Sequence, residues 1–143
     1  MSGQFALLAQ RRFAPFFAAQ ALGAFNDNLL KNSLVILAAY QGAALTTMDP
    51  GLLSNLASGL FVLPYLLFSG IAGQFADRLD KASLIRVVKG SEVAIMSIAG
   101  AGFATQQLPL LLGAVFLMGL HSTFFAPAKY GLLPQVMRED ELV

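Results

Sequence analysis

The chain has 143 residues, of which 57% are hydrophobic and only 12% charged, with a formal net charge of +1, no cysteine and no tryptophan. A balance so near neutrality, with no basic patch, excludes nucleic acid or another acidic polymer as partner. Zero cysteines exclude disulfides, zinc–thiolate sites and thiol catalysis. The mean hydropathy of +0.68 is gathered into four blocks long enough to cross a bilayer, so the composition points to an all-α, polytopic membrane protein with no soluble domain.

The first predicted span runs from Phe13 to Tyr40. At 1.5 Å per residue it measures about 40 Å, more than a hydrocarbon core of about 30 Å, and therefore needs tilt or protruding ends. Gln10-Arg11-Arg12 followed by Phe13 to Ala19 and then Ala19-Gln20-Ala21 imitates a secretory signal with a small-residue cleavage site. The apolar run continues to Tyr40 and three more spans follow, so an uncleaved first span accounts for more of the chain.

Within this span lies Gly23-Ala24-Phe25-Asn26-Asp27-Asn28-Leu29-Leu30-Lys31-Asn32. An acid, a base and three carboxamides at bilayer depth are costly unless they line a cavity or find partners, which makes them a functional-site candidate. On a wheel of about 100° per residue Gln20, Asp27 and Lys31 share one narrow arc, Asn28 and Asn32 widen it, and Asn26 alone points elsewhere. Asp27 and Lys31 stand at i,i+4 with the acid first, the favourable order for a pair. Two readings follow. The face is a hydrogen-bonded seam between helices with Lys31 snorkelling outward, or it is a transport site whose acid suits an ammonium and whose base suits a phosphate.

Asp49-Pro50-Gly51 reads as a turn within a short external loop, Gln41 to Leu52. The second span, Leu53 to Ala76, carries Asn55, Ser58, Gly59, Ser69, Gly70 and Gly73 as a small-residue surface for a close neighbour, with a kink expected at Pro64. Asp77-Arg78-Leu79-Asp80-Lys81 reads as a tight charged link. The third span, Ala82 to Thr105, opens on an amphipathic turn with Arg86, Lys89 and Glu92. Gln106-Gln107-Leu108-Pro109 leads to the fourth, Leu110 to Val136, where Pro109 suits a first turn and Pro127 and Pro134 predict a kinked continuation past Phe125.

Arg11, Arg12, Arg78, Lys81, Arg86, Lys89, Lys129 and Arg138 all fall at the two ends or the middle link, and the other two loops hold no Lys or Arg. Both ends and the middle link are therefore expected in the cytoplasm. His121, mid-span with Ser122 and Thr123, reads either as a hydrogen-bonded packing residue or as a cavity liner of the proton-relay class. Lys129 reads as an interfacial anchor, or as a partner for Asp77 or a lipid phosphate. No catalytic constellation is present, since adjacent Ser122 and His121 on a helix do not face each other and lack a positioned acid. No metal or cofactor is called for.

Gly73-Gln74-Phe75-Ala76-Asp77-Arg78-Leu79-Asp80-Lys81 resembles the cytoplasmic-loop motif of the major facilitator superfamily. Gly73, Asp77, Arg78 and Lys81 match, whereas Asp80 replaces a preferred Gly and Ala82 a second base. Read alone, the tetrad is also compatible with an ordinary charged turn. Together with Gln20, Leu22 to Asn32, Ser58 to Tyr65 and Phe125 to Gln135, the chain resembles the lysophospholipid transporter branch of that superfamily. The opening Gln4-Phe5 and Arg11-Arg12-Phe13 are similar to versions fused to an acyltransferase and an acyl-carrier-protein ligase. The resemblance implies that residues 1–143 are the first four of about twelve spans, the N-terminal part of a transporter membrane domain. It implies inward flipping of lysophospholipids across a bacterial inner membrane for reacylation, by alternating access between two halves. Asp27, Lys31, Asn28, Asn32, Gln20 and His121 would then face the substrate, and Gly73, Asp77, Arg78, Lys81 and Lys129 would form a cytoplasmic gate. Expected partners are the lysophospholipid, membrane lipids, the remaining helices and a fused or separate acyltransferase. The rivals are a four-span homodimeric multidrug exporter with Asp27 as its proton-coupled acid, and a non-transporting membrane assembly subunit; dual-orientation dimers need a weaker charge bias than this chain has.

Overall fold

A computed structural model describes residues 10, 11, 13–41 and 45–136, with backbone alone at 81 and 132–136. Arg12, Gln4-Phe5 and the closing charged run from Arg138 lie outside the described residues, as do the side chains of Lys81 and Pro134. Among the described residues four helices follow one another: α1 Ala14–Gln41, α2 Pro50–Arg78, α3 Lys81–Thr105 and α4 Leu108–Val136. Three stretches, Pro50–Arg78, Ala82–Thr105 and Leu108–Gly131, are long and apolar enough to cross a membrane. The 28 residues of α1 are long enough, but the polar run from Asn26 to Asn32 interrupts their apolarity.

The ends of the helices are set by side-chain chemistry. Asp49 is the N-cap of α2, its Oδ2 accepting from Gly51 N at 2.9 Å and Leu52 N at 3.1 Å, with Pro50 in the first turn where its missing N–H costs nothing. The expected Asp-Pro-Gly turn is thus a helix start, because the turn residues and a capped first turn use the same chemistry. The charged link is shorter than expected as well. Asp77 and Arg78 complete the last turn of α2, and Asp80 caps α3 by accepting from Ser83 N at 2.8 Å. That cap supplies a local reason for an acid at a position where the superfamily motif prefers Gly. α3 ends at Gln106 in the left-handed region, φ 54°, with Gln107 N donating to Gly102 O at 3.0 Å.

α4 is the hub, packing along both α2 and α3, while α1 touches α2 and α4 more lightly. Its sequence is apolar all round, as a central helix requires, and Leu111, Ala114, Val115 and Met118 are fully buried. They meet Leu30, Leu34 and Ala38 of α1, Leu53 and Ala57 of α2, and Ile95 and Ala99 of α3. A second cluster, Ala76, Leu84, Val88 and Ala128, closes the other end. As expected, α4 runs through Pro127 as one helix.

The closest helix approach is not where the small-residue pattern placed it. Asn55, Ser58, Gly59, Ser69 and Gly70 are exposed, and a Cβ added at Gly59, Gly70 or Gly73 would meet nothing within 4 Å. The tight contact is at Gly119 of α4, where a Cβ would land on the Phe61 carbonyl oxygen of α2 and 2.8 Å from its carbon. Leu53, Ala57, Pro64, Ala72 and Ala76 form the buried stripe of α2, so α2 packs through its alanines and the glycine that matters to this seam sits on α4.

Candidate functional site

A cavity of about 110 Å³ opens between the four helices, lined among others by Gln20 and Asp27 of α1, Tyr65 of α2, Lys89 of α3, and His121, Ser122 and Lys129 of α4. Asp27, Tyr65 and His121 lie near the middle of their helices, the depth at which polar groups must find partners or line a cavity. Asp27 is tied across the bundle by Ser122 Oγ, which donates to Asp27 Oδ2 at 3.2 Å. Among the described residues Gln20 Nε2 and both ring nitrogens of His121 are buried and make no hydrogen bond, with Glu92 Oε2 standing 3.7 Å from His121 Nε2. His121 is 7% exposed, its ring stacked against Phe125 at 6.0 Å. Burying such groups unpaired costs about 1–3 kcal/mol each, an arrangement suited to a polar guest.

The structure divides the predicted polar face of α1. Gln20 and Asp27 reach the cavity together with His121. Asn28 and Asn32 are exposed, Asn28 Nδ2 donating back to Ala24 O at 2.8 Å. Lys31 makes no ion pair with Asp27 among the described residues; its ammonium lies 4.4 Å from the centre of the Phe61 ring. The i,i+4 spacing allows the pair, but Asp27 turns inward to Ser122 and leaves Lys31 to a cation–π contact. Lys129 belongs to the same cavity. It lines the Asp27 cavity with its ammonium 5.1 Å from the Tyr130 ring centre, and among the described residues it has no ion pair with Asp77. Asp77 and Arg78 are exposed at the end of α2, with Gly73 one turn before them, and Arg78 borders a small groove with Gln74, Phe75 and Leu79.

Two residues of α3 that the charge pattern assigned to a cytoplasmic turn take part in the site. Lys89 Nζ lies 2.8 Å from Glu92 Oε2 and 4.6 Å from the Phe125 ring centre, and donates to Ala19 O at 3.5 Å. It lies over Gly23, where a Cβ would be 3.0 Å from its nitrogen. Glu92 in turn accepts from Asn26 Nδ2 at 3.1 Å and has His121 Nε2 at 3.7 Å. Asn26, off the Asp27 face by one wheel step, thus faces α3. The available signal was the i,i+3 spacing of Lys89 and Glu92 in an otherwise small, apolar helix.

The polar cavity shares Gly23 and Lys89 with a larger, open groove of about 660 Å³ between α1 and α3, walled by Leu22, Phe25, Val93 and Met96. The charged pocket thus adjoins an open trough whose walls are largely apolar. Among the described residues no group of three or more His, Asp or Glu is placed to hold a metal ion.

Lysophospholipid transporter LplT of Klebsiella pneumoniae (strain 342) is 32% identical over 125 residues, 87% of this chain and 28% of its own length. The protein of that name from Salmonella heidelberg (strain SL476) is 32% identical over 126 residues with the same coverage, and that of Salmonella enteritidis PT4 (strain P125109) is 30% identical over 125. The chain therefore spans 28% of the length of these curated relatives. No family model and no solved structure matches it. The resemblance drawn from the Phe-Asn-Asp-Asn and Ala-Pro-Ala-Lys-Tyr-Gly segments is borne out.

Proposed function

We infer that this chain belongs to the lysophospholipid transporter branch of the major facilitator superfamily and supplies the headgroup-binding cavity of an inward lysophospholipid flippase. The observation that carries the reading is the Asp27 carboxylate, held by Ser122 at mid-membrane depth in a cavity that opens onto an apolar groove. A carboxylate there offers an ion pair to the ammonium of an ethanolamine headgroup, and the lysine side chains that line the same cavity offer a cation to its phosphate. Leu22, Phe25, Val93 and Met96 offer an apolar wall to the single acyl chain. In this reading the chain acts with further helices that complete a second half, and the two halves rock around the site. The membrane is the bacterial inner membrane, the N-terminus is cytoplasmic by the basic-residue bias, and the delivered lysophospholipid is reacylated by an acyltransferase.

The test is equilibrium binding of radiolabelled lysophosphatidylethanolamine to the purified chain in detergent, wild type against Asp27→Asn. Loss of one charge-assisted contact weakens binding about tenfold, and the effect is absent for a lysophospholipid whose headgroup lacks an amine. Equal affinity of wild type and variant for the ethanolamine lipid would refute the assignment.

A further inference from the structure

We propose that Lys89 of α3 is the phosphate-binding cation of this cavity, held ready by Glu92. The proposal rests on the reading of the cavity as a headgroup site and specifies which residue takes the anion. Three observations carry it. The first is position: Lys89 and Gly23 are shared by the polar cavity and the apolar groove. In a lysophospholipid the phosphate lies between the amine and the acyl chain. With the amine at Asp27 and the chain between Leu22 and Met96, the phosphate falls at the junction where Lys89 stands, whereas Lys129 borders the cavity but not the groove.

The second is support. A lone ammonium inside an apolar bundle is costly, and a carboxylate that neutralises it when the site is empty lowers that cost. Glu92 does this at 2.8 Å, and is itself steadied by Asn26 at 3.1 Å. The ammonium also rests on the Phe125 ring at 4.6 Å and crosses α1 at Gly23. It is therefore presented across the α1–α3 gap rather than free to extend into solvent. The third is unmet hydrogen-bonding capacity. His121, more than nine-tenths buried, makes no hydrogen bond at either nitrogen among the described residues, its Nε2 lying 3.7 Å from Glu92 Oε2, and it lines the same cavity, as does the buried Gln20 Nε2. Both offer N–H donors to phosphate oxygens.

The charges facing Lys89 are Asp27 of α1, Glu92 of α3 and Lys129 of α4. Glu92 is accordingly a positioning residue, and Lys89 the group that touches the ligand.

The experiment measures binding of lysophosphatidylethanolamine and of a monoacylglycerol with the same acyl chain to the full chain in detergent, for wild type, Lys89→Gln and Lys89→Arg. Wild type should prefer the phospholipid. Lys89→Gln should lower that preference about tenfold, the value of one charge-assisted contact, and Lys89→Arg should restore most of it. A second measurement needs no variant: acetylation of wild-type Lys89 by acetic anhydride, followed by mass spectrometry. It should be slowed by lysophosphatidylethanolamine, and not by the monoacylglycerol or by inorganic phosphate at the same concentration. Failure of wild type to prefer the phospholipid overturns the headgroup reading and this proposal with it. A wild-type preference that survives in Lys89→Gln, or labelling of Lys89 unaffected by the phospholipid, overturns the Lys89 assignment alone. Equal protection by inorganic phosphate would make it a free-anion site and overturn the lipid assignment.

Discussion

The packing account is most exposed at Gly119. Substituting Ala there places a methyl group on the Phe61 carbonyl oxygen, 2.8 Å from the carbonyl carbon and 3.0 Å from Cα. Carbon atoms pack at about 3.5–4.0 Å, and the obstacle is backbone, which cannot swing aside as a side-chain tip would. α2 and α4 must therefore part by about 1 Å, a gap that forfeits a quarter to a half of each dispersion contact along the seam. That seam includes the fully buried Leu53, Ala57, Leu111, Ala114, Val115 and Met118. Overpacking of this kind costs about 3 kcal/mol. Gly70→Ala on the exposed face of α2, where a Cβ meets nothing within 4 Å, should cost none. The assay is a dodecyl sulfate titration of the chain in dodecyl maltoside, read by far-UV circular dichroism. If Gly119→Ala and Gly70→Ala unfold at the same detergent ratio, α2 and α4 do not meet as described.

Two further outcomes follow from the helix ends. Gln106 adopts the left-handed region at φ 54°, so Gln106→Gly should raise stability by about 1 kcal/mol in the same titration; a loss would show that the Gln106 side chain, not its backbone geometry, holds the α3–α4 turn. The hydrogen bonds from Ser83 hold the exposed Asp80 carboxyl below the ordinary carboxylate value. Its capping contribution is therefore complete above the unfolded-state pKa and is lost as pH falls through the lower folded-state value. Asp80→Asn should flatten that acid limb of the stability–pH curve, and superimposable acid limbs would show that the cap makes no pH-dependent contribution.

Much of this architecture is legible in the residues. Uniform apolarity marks α4 as the central helix, and Asp49 before Pro50 marks a helix start once the pair is read as a cap rather than a turn. The run from Asn26 to Asn32 marks where polar groups enter the bundle, because polar groups at that depth need partners or a cavity. What a wheel cannot give is the partner. Asp27 and Lys31 are spaced for each other, yet Ser122, on α4, takes the acid and Phe61, on α2, takes the base. Lys89 and Glu92 read as a cytoplasmic turn because the inward tilt of one helix against another is a tertiary property. Only the meeting of Glu92 with Asn26 reveals that they belong to the site. Glycine roles were similarly hidden, since Gly59, Gly70 and Gly119 are indistinguishable until a neighbour is placed beside them.

The central claim is that the Asp27 cavity and its adjoining groove receive a lysophospholipid rather than an apolar lipid or a lipophilic cation. The most direct measurement is displacement of radiolabelled lysophosphatidylethanolamine from the purified chain by three unlabelled competitors: itself, the monoacylglycerol of the same acyl chain, and tetraphenylphosphonium. The account predicts full displacement by the phospholipid and little by the other two at equal concentration. Equal displacement by the monoacylglycerol would reduce the site to an apolar groove, and equal displacement by the cation would make Asp27 the acid of a drug exporter.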